Sequence, residues 1–247
     1  KSSNHSSDQS DVSMTAIKKT SGTDKLLPVI LGGKPVLSEP ISSAGFIGDE
    51  EQKAVAEVLK SGELSGFIGS GCEGFFGGQY VRTLENHWQK KFCCAHAVAI
   101  NSATTGLYTA LLAVGVGPND EVILPPYTMS GSLAAILFTG ATPVFCDIDA
   151  DNYCLSPEDL SSKITPRTKC VMTVNLFGGS PNYDQIKYIC QKHSVKIIED
   201  NAQAIGSKWD DKFTGTIGDI GVFSLNRHKN IQSGEGGVIT TNDELLA

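Results

Sequence analysis

Short apolar runs alternate along the chain with longer segments in which apolar positions recur every three or four residues. The runs are Ala97 to Asn101, Glu121 to Leu124, Pro143 to Asp147, Cys170 to Val174, Val195 to Glu199, Gly221 to Ser224 and Gly237 to Thr240. Most are β-branched and bounded by Gly, Pro or Asp, which predicts strands. Glu50 to Ser61 sets Ala54, Val55 and Val58 on one helical face, and Thr104 to Val114 does the same with Leu107, Ala110, Leu111 and Val114. Pro181 to His193 repeats the pattern with Ile186, Ile189 and Cys190. This alternation predicts an α/β domain whose mainly parallel sheet is covered by helices on both faces. Ligands in such folds sit at the carboxyl ends of the strands. No internal repeat is visible.

The two ends of the chain read differently. Lys1 to about Lys25 is rich in Ser, Asp, Thr and Lys and is expected to be a disordered tail, without the apolar segment of a secretory signal. The chain opens on lysine, and Asn242-Asp243-Glu244-Leu245-Leu246 reads as a helix cut short at Ala247. The expected organisation is therefore a tail over 1–25 and a large domain over 26–247, truncated at its C-terminal end. Gly69 to Gly78, glycine-dense with Phe75 and Phe76, reads either as a mobile substrate loop or as a connector.

Composition narrows the partners. A net charge of -7 with no basic block argues against nucleic acid or an anionic membrane as the main partner. No apolar run is long enough to cross a bilayer. The seven cysteines form no C-x-x-C pair, and the chain has no His-x-x-x-His, so neither a metal site nor a disulfide framework is indicated. Reduced thiols in a cytoplasmic protein are expected, most of them buried as small hydrophobes.

Candidate chemistry collects at the predicted strand ends. Lys229 lies in Phe223-Ser224-Leu225-Asn226-Arg227-His228-Lys229-Asn230, just ahead of Gly234-Glu235-Gly236-Gly237. A lysine that folding buries beside a phosphate-binding serine is placed to form a Schiff base with an aldehyde cofactor, although most lysines are solvated surface charges. After Asn101, Ser102-Ala103-Thr104-Thr105-Gly106 opens a helix whose N–H groups and Thr104 hydroxyl suit a phosphate; the same residues also serve as an ordinary N-cap. Tyr127, after Pro125-Pro126, brings a ring to the same rim, for stacking on a heterocycle or for loop packing. Asp200 ends an apolar strand, where a carboxylate can keep a pyridine nitrogen protonated, or can act as a helix cap or metal ligand. Gln203 follows three residues on as a neighbouring hydrogen-bond donor.

In this order the residues resemble the DegT/DnrJ/StrS aminotransferases, fold type I pyridoxal-phosphate enzymes acting mostly on keto sugars and keto cyclitols. The resemblance runs from Leu31-Gly32-Gly33-Lys34-Pro35 through Ser61-Gly62-Glu63-Leu64-Ser65-Gly66, Asn101 to Thr104, Gly117 to Val122, Gly140 to Val144 and Ile164 to Lys169. It continues through Glu199-Asp200-Asn201-Ala202-Gln203-Ala204, Gly218-Asp219 and Ser224 to Lys229 with Gly234 to Gly237. It implies that Lys229 carries pyridoxal 5'-phosphate as an internal aldimine and shuttles the proton, and that Asp200 pairs with the pyridinium nitrogen. Gln203 would bond the phenolic oxygen, Tyr127 would stack on the ring, and Ala103, Thr104 and Ser224 would hold the phosphate. It further implies ping-pong transfer of an amino group from glutamate or glutamine to a keto sugar, often nucleotide-linked, or a keto cyclitol. A homodimer and a small C-terminal domain, absent from this chain, complete the expectation. Two segments depart from the family: Asn175-Leu176-Phe177-Gly178 where His then Leu-Tyr-Gly is common, and Arg227-His228 where Pro-Thr is common. A related branch has histidine in place of the lysine and dehydrates its sugar; a non-catalytic cofactor-binding relative is the other alternative.

Overall fold

The computed structural model describes residues 27–39 and 47–247, so the expected tail over 1–25 lies outside the described residues. By their contacts the residues fall into two units, Lys1–Gly62 and Glu63–Ala247. The described part of the first unit holds a 3-10 turn, Val29–Leu31, and helix α1, Asp49–Ser61. Glu51 caps α1 by accepting the Gly48 N–H at 2.7 Å. The expected apolar stripe on Ala54, Val55 and Val58 is helical but not buried, with Val55 58% exposed.

In the second unit the elements are α2 (Gln79–Phe92), β1 (His96–Ile100), α3 (Ala103–Ala113), β2 (Glu121–Leu124), α4 (Ser130–Phe138) and β3 (Thr142–Phe145). They continue with α5 (Pro157–Lys163), β4 (Thr168–Val174), α6 (Tyr183–His193), β5 (Lys196–Asp200), a short hairpin of β6 (Lys208–Trp209) and β7 (Lys212–Phe213), β8 (Ile220–Ser224) and β9 (Gly237–Thr241). Every predicted strand is present, with bounds displaced by two residues at most. Helices α2, α4 and α5 were not predicted.

Seven strands form one sheet in the order β1-β9-β8-β5-β4-β2-β3, and only β9 runs against the rest. Its inner strands are apolar on both faces because helices cover both. Val122, Leu124, Cys170, Met172, Ile198 and Val222 turn toward α3 and α4, packing on Leu107, Leu111 and Ile136. Their neighbours Ile123, Val171 and Ile197 turn the other way, toward Leu160 of α5 and Ile186 and Cys190 of α6. On that second face Phe223 meets Trp88 and Phe92 of α2, with ring centroids 5.2 Å apart in each pair. Each large side chain removed from water contributes about 1.5–3 kcal/mol, so this double-sided burial, rather than helix propensity, sets the fold. Five of the seven cysteines are buried, Cys72 and Cys93 are exposed, and all are unpaired.

Candidate cofactor site

The first wall of the site is the start of α3. Ser102 caps the helix, its hydroxyl accepting the Thr105 N–H at 3.2 Å, and the remaining first-turn N–H groups have no intrahelical partner. Close approach to the sheet depends on glycine. A Cβ on Gly106 would stand 2.3 Å from Ile100 Cδ1 and 2.8 Å from Val222 Cγ1. One on Gly237 would stand 3.1 Å from the Ala103 nitrogen, and Gly237 is the register partner of Ser224. Ala103 and Ser224 are thereby drawn to the same corner, the latter only 5% exposed. The Thr104 Oγ1 lies 2.9 Å from where a Cβ of Gly131 would stand at the head of α4.

Asp200, at the carboxyl end of β5, is the buried charge of the site. Its Oδ2 accepts from the Ser132 hydroxyl of α4 at 2.7 Å, and its Oδ1 accepts the Ala202 N–H at 3.1 Å. Ser132 in turn lies 2.8 Å from the Thr128 hydroxyl. Burial raises the Asp200 carboxyl above its ordinary range, against the Ser132 and Ala202 hydrogen bonds and the charge of Lys229, which lower it. Lys229 stands in the loop between β8 and β9, and β8 is the neighbour of β5 in the sheet. A carboxylate has about four lone-pair positions, so roughly two remain for a ligand.

The preceding residue, Glu199, faces the opposite side of the sheet and fixes the frame. Its Oε1 accepts the N–H groups of Ile217 and Gly218, each at 2.6 Å, and its Oε2 accepts that of Gly215 at 2.6 Å. Tyr183 donates to the same Oε2 at 2.8 Å, and Asn175 Nδ2 approaches it at 3.3 Å. Burial and the charge of Glu199 hold the Tyr183 phenol well above its usual range, so it stays a donor. Asn175, where histidine is common in the resembling family, is a fully buried connector, with Nδ2 also 2.8 Å from Asn201 Oδ1.

Aromatic rings form the outer rim. Tyr127 is 47% exposed, with Tyr153 and Phe177 edge-on to it at centroid distances of 6.2 and 6.1 Å. Phe177 sits at φ 52, a strained left-handed conformation, and its N–H reaches Gln203 Oε1 at 3.3 Å. Because an N–H must meet the amide oxygen, the Gln203 NH2 is left as the free end, a donor.

Lys229 itself is half-buried rather than buried, so a fully desolvated lysine is not what the structure holds. Its N–H donates to Asn226 O at 2.9 Å, and Asn226 Nδ2 lies 2.9 Å from both carboxylate oxygens of Glu235 across the loop. Arg227 and His228 are exposed. Among the described residues no group of three or more His, Cys, Asp or Glu side chains is placed to hold a metal ion, and no helix is long and apolar enough to cross a membrane.

The structure thus brings Ala103, Thr104, Asp200, Ser224 and Lys229 to the carboxyl edge of the sheet, with Gln203 and Tyr127 reaching it through Phe177. Sequence reasoning missed Ser132 and Thr128, whose only signal was the hydroxyl- and glycine-rich stretch Thr128-Met129-Ser130-Gly131-Ser132. It also missed Phe177 as the residue that orients Gln203.

Comparison with known proteins identifies the family and the fold. The model of the DegT/DnrJ/EryC1/StrS aminotransferase family matches residues 46–247. The spore coat polysaccharide biosynthesis protein SpsC of Bacillus subtilis (strain 168) is 41% identical over 205 residues, 83% of this chain and 50% of that protein. Among solved structures, the aminotransferase from Psychrobacter cryohalolentis superposes with a TM-score of 0.77 at 34% identity, covering 84% of this chain and 50% of that one. The E. coli GDP-4-keto-6-deoxy-D-mannose-3-dehydratase, solved with bound hydrated PLP, gives a TM-score of 0.74 at 29% identity, covering 82% and 51%. The chain spans about half the length of the relatives it matches. With the matched family model covering most of its residues and an α/β sheet of the same fold type, the chain belongs to the DegT/DnrJ/EryC1/StrS aminotransferase family.

Proposed function

We propose that this chain supplies the cofactor-binding domain, over 26–247, of a pyridoxal-phosphate-dependent aminotransferase. Its substrates would be glutamate or glutamine as amino donor and a keto sugar, often nucleotide-linked, or a keto cyclitol as acceptor. The observation that carries the reading is Asp200, a buried carboxylate at the carboxyl end of β5 whose oxygens meet Ser132 and Ala202 and keep further acceptor positions. The residues present fit the cofactor group by group. Unpaired N–H groups at the start of α3, with Thr104 and Ser224, suit a phosphate; Asp200 suits a protonated ring nitrogen; the Gln203 NH2 suits a phenolic oxygen. Tyr127 offers a ring face. When bound, such a cofactor supplies an electron sink for the carbon that loses its proton.

The chain's own residues do the rest. Asp200 would keep a ring nitrogen protonated, and the amine of Lys229 would take and return the proton of the substrate carbon. Dehydration is the second reading, since a solved neighbour is a dehydratase. The branch that dehydrates carries histidine where this chain carries Lys229, which favours transfer of the amine. The seven unpaired cysteines support a cytoplasmic setting, and exposed Phe67, Phe75 and Phe76, with Phe75 in ring contact with each of the other two, suit the face of a homodimer.

The test is an absorbance scan of the full-length protein with pyridoxal phosphate, before and after glutamate or glutamine, with Lys229→Ala as control. A visible band that fades with donor and is missing in the variant supports the reading. A band indifferent to donor and to the substitution overturns it.

A further inference from the structure

Asp200 is held from behind by two hydroxyls that no part of the family resemblance assigns. Ser132, only 1% exposed on α4, donates to Asp200 Oδ2 at 2.7 Å, and Thr128 Oγ1 stands 2.8 Å behind it. With the serine proton committed to the carboxylate, Ser132 Oγ can receive the threonine proton, so the pair forms a polarised chain from Thr128 to Asp200. Hydroxyls can also reverse. A protonated Asp200 can donate to Ser132, which then donates to Thr128, whereas the Ala202 N–H on Oδ1 can only donate. Ser132 is therefore the contact that holds the side chain in one rotamer through a change of charge.

Resting on the cofactor reading above, we infer that Ser132, backed by Thr128, is a positioning residue that aims Asp200 at the cofactor's ring nitrogen. It touches neither cofactor nor substrate, and it acts through the carboxylate. Removing its hydroxyl leaves Oδ2 a buried acceptor without its donor and frees the side chain to turn, so ring binding and proton loss from the substrate carbon both weaken. Hydrogen bonds to charged groups of this kind correspond to about tenfold to hundredfold in an equilibrium.

The experiment uses the full-length protein and the variants Ser132→Ala, Ser132→Thr and Thr128→Val. Pyridoxal-phosphate affinity is measured by titration, and the donor half-reaction is followed in single turnovers. Ser132→Ala is expected to raise the cofactor dissociation constant and slow the half-reaction by about tenfold to hundredfold each. KM for the donor stays within about twofold, because donor recognition does not pass through Asp200. Ser132→Thr keeps the hydroxyl and stays within about threefold of the parent, which loss of packing alone would not predict. Thr128→Val, nearly isosteric, gives a smaller loss of about threefold to tenfold and carries the test if Ser132→Ala fails to fold. Parent-like cofactor affinity and turnover in Ser132→Ala overturns the inference, as does a Ser132→Thr variant as impaired as the alanine. If Ser132→Ala does not fold, an unimpaired Thr128→Val overturns it. Failure of the parent protein to take up pyridoxal phosphate overturns the cofactor reading and this inference with it, a result distinguishable from failure of the variants alone.

Discussion

Replacing Glu199 with glutamine changes one oxygen to an NH2 group and should cost the fold far more than that exchange suggests. The side chain is fully buried and receives three backbone N–H groups at 2.6 Å, the Tyr183 hydroxyl at 2.8 Å and Asn175 Nδ2 at 3.3 Å. A glutamine has one acceptor end. If its oxygen stays with Ile217 and Gly218, the NH2 faces the donors of Gly215 and Asn175; if it flips, the NH2 faces Ile217 and Gly218. Either orientation strands two donors, at about 1–3 kcal/mol for each that is buried, or about 2–6 kcal/mol together. Against a total stability of about 5–15 kcal/mol, that is a large fraction. At about 2–4 °C per kcal/mol for a domain of this size, the melting temperature should fall by on the order of 10 °C. The assay is thermal and urea unfolding of parent and Glu199→Gln followed by circular dichroism, with equal m-values required before midpoints are compared. A drop of less than about 2 °C would falsify the claim that these hydrogen bonds clamp the 214–218 segment to the sheet.

Three further predictions follow from named contacts. Burial raises the Asp200 carboxyl above its ordinary 3.8, so its ionised form costs the fold stability that is fully present below 3.8 and lost as pH rises through the raised value. Asp200→Asn without cofactor should therefore unfold at a urea concentration no lower than the parent at about pH 7, with the gap closing toward pH 4, while losing cofactor affinity; a lower midpoint at about pH 7 refutes this. Gly106→Ala places a methyl 2.3 Å from Ile100 Cδ1 and should cost about 1–3 kcal/mol and weaken pyridoxal-phosphate binding. Adding Ile100→Val, which deletes that Cδ1, should restore part of both losses, and strictly additive effects in the double-mutant cycle would count against steric contact as the cause. Of this chain's seven thiols, exposed Cys72 and Cys93 should react first with an aromatic disulfide reagent, while burial pushes Cys146 and Cys190 up to about 12 and keeps them silent until unfolding; early modification of either contradicts their placement.

The sheet was legible because its inner strands are buried on both faces and read as apolar runs ended by Gly, Pro or Asp. Helix α4 was not, for the related reason that Leu133-Ala134-Ala135-Ile136-Leu137-Phe138 is apolar all round and has no 3.6-residue period to separate helix from strand. Helix α2 did carry a period in Val81, Leu84, Trp88 and Phe92, but it opens directly from a glycine-dense stretch that breaks the pattern at its start. Helix α5 offers one core leucine, Leu160, in seven residues, so only its Ser156 cap and Pro157 announce it. Within the site, residues that end strands were readable because strand ends are marked locally. Ser132 was not, since its partner lies 68 residues away and nothing local distinguishes it from any other small polar residue near a helix start.

That division follows from how the site is made. Parallel strands deliver Asn101, Leu124, Val174 and Asp200 to one edge, and the loops that follow gather the site residues there. Asp200 concentrates the consequence. Its burial is enforced by β5 lying between β4 and β8, and the same burial makes its ionised form unfavourable. Ser132, Ala202 and Lys229 offset that cost only in part, because burial still wins and the carboxyl remains raised. A cationic ring nitrogen placed on the remaining lone pairs would remove the rest, so folding stores in Asp200 an unfavourable charge that a protonated heterocycle relieves on binding. By linkage, such a ligand must then stabilise the protein as pH rises through the range where Asp200 loses its proton, and a neutral ring of the same shape must not. A pyridoxal-phosphate analogue lacking the basic ring nitrogen isolates that step: it keeps the phosphate and hydroxyl contacts and forfeits the pairing with Asp200. Equal protection of the fold by the two ligands across that pH range would mean that Asp200 is structural, and that the cofactor is held by α3 and the Lys229 loop alone.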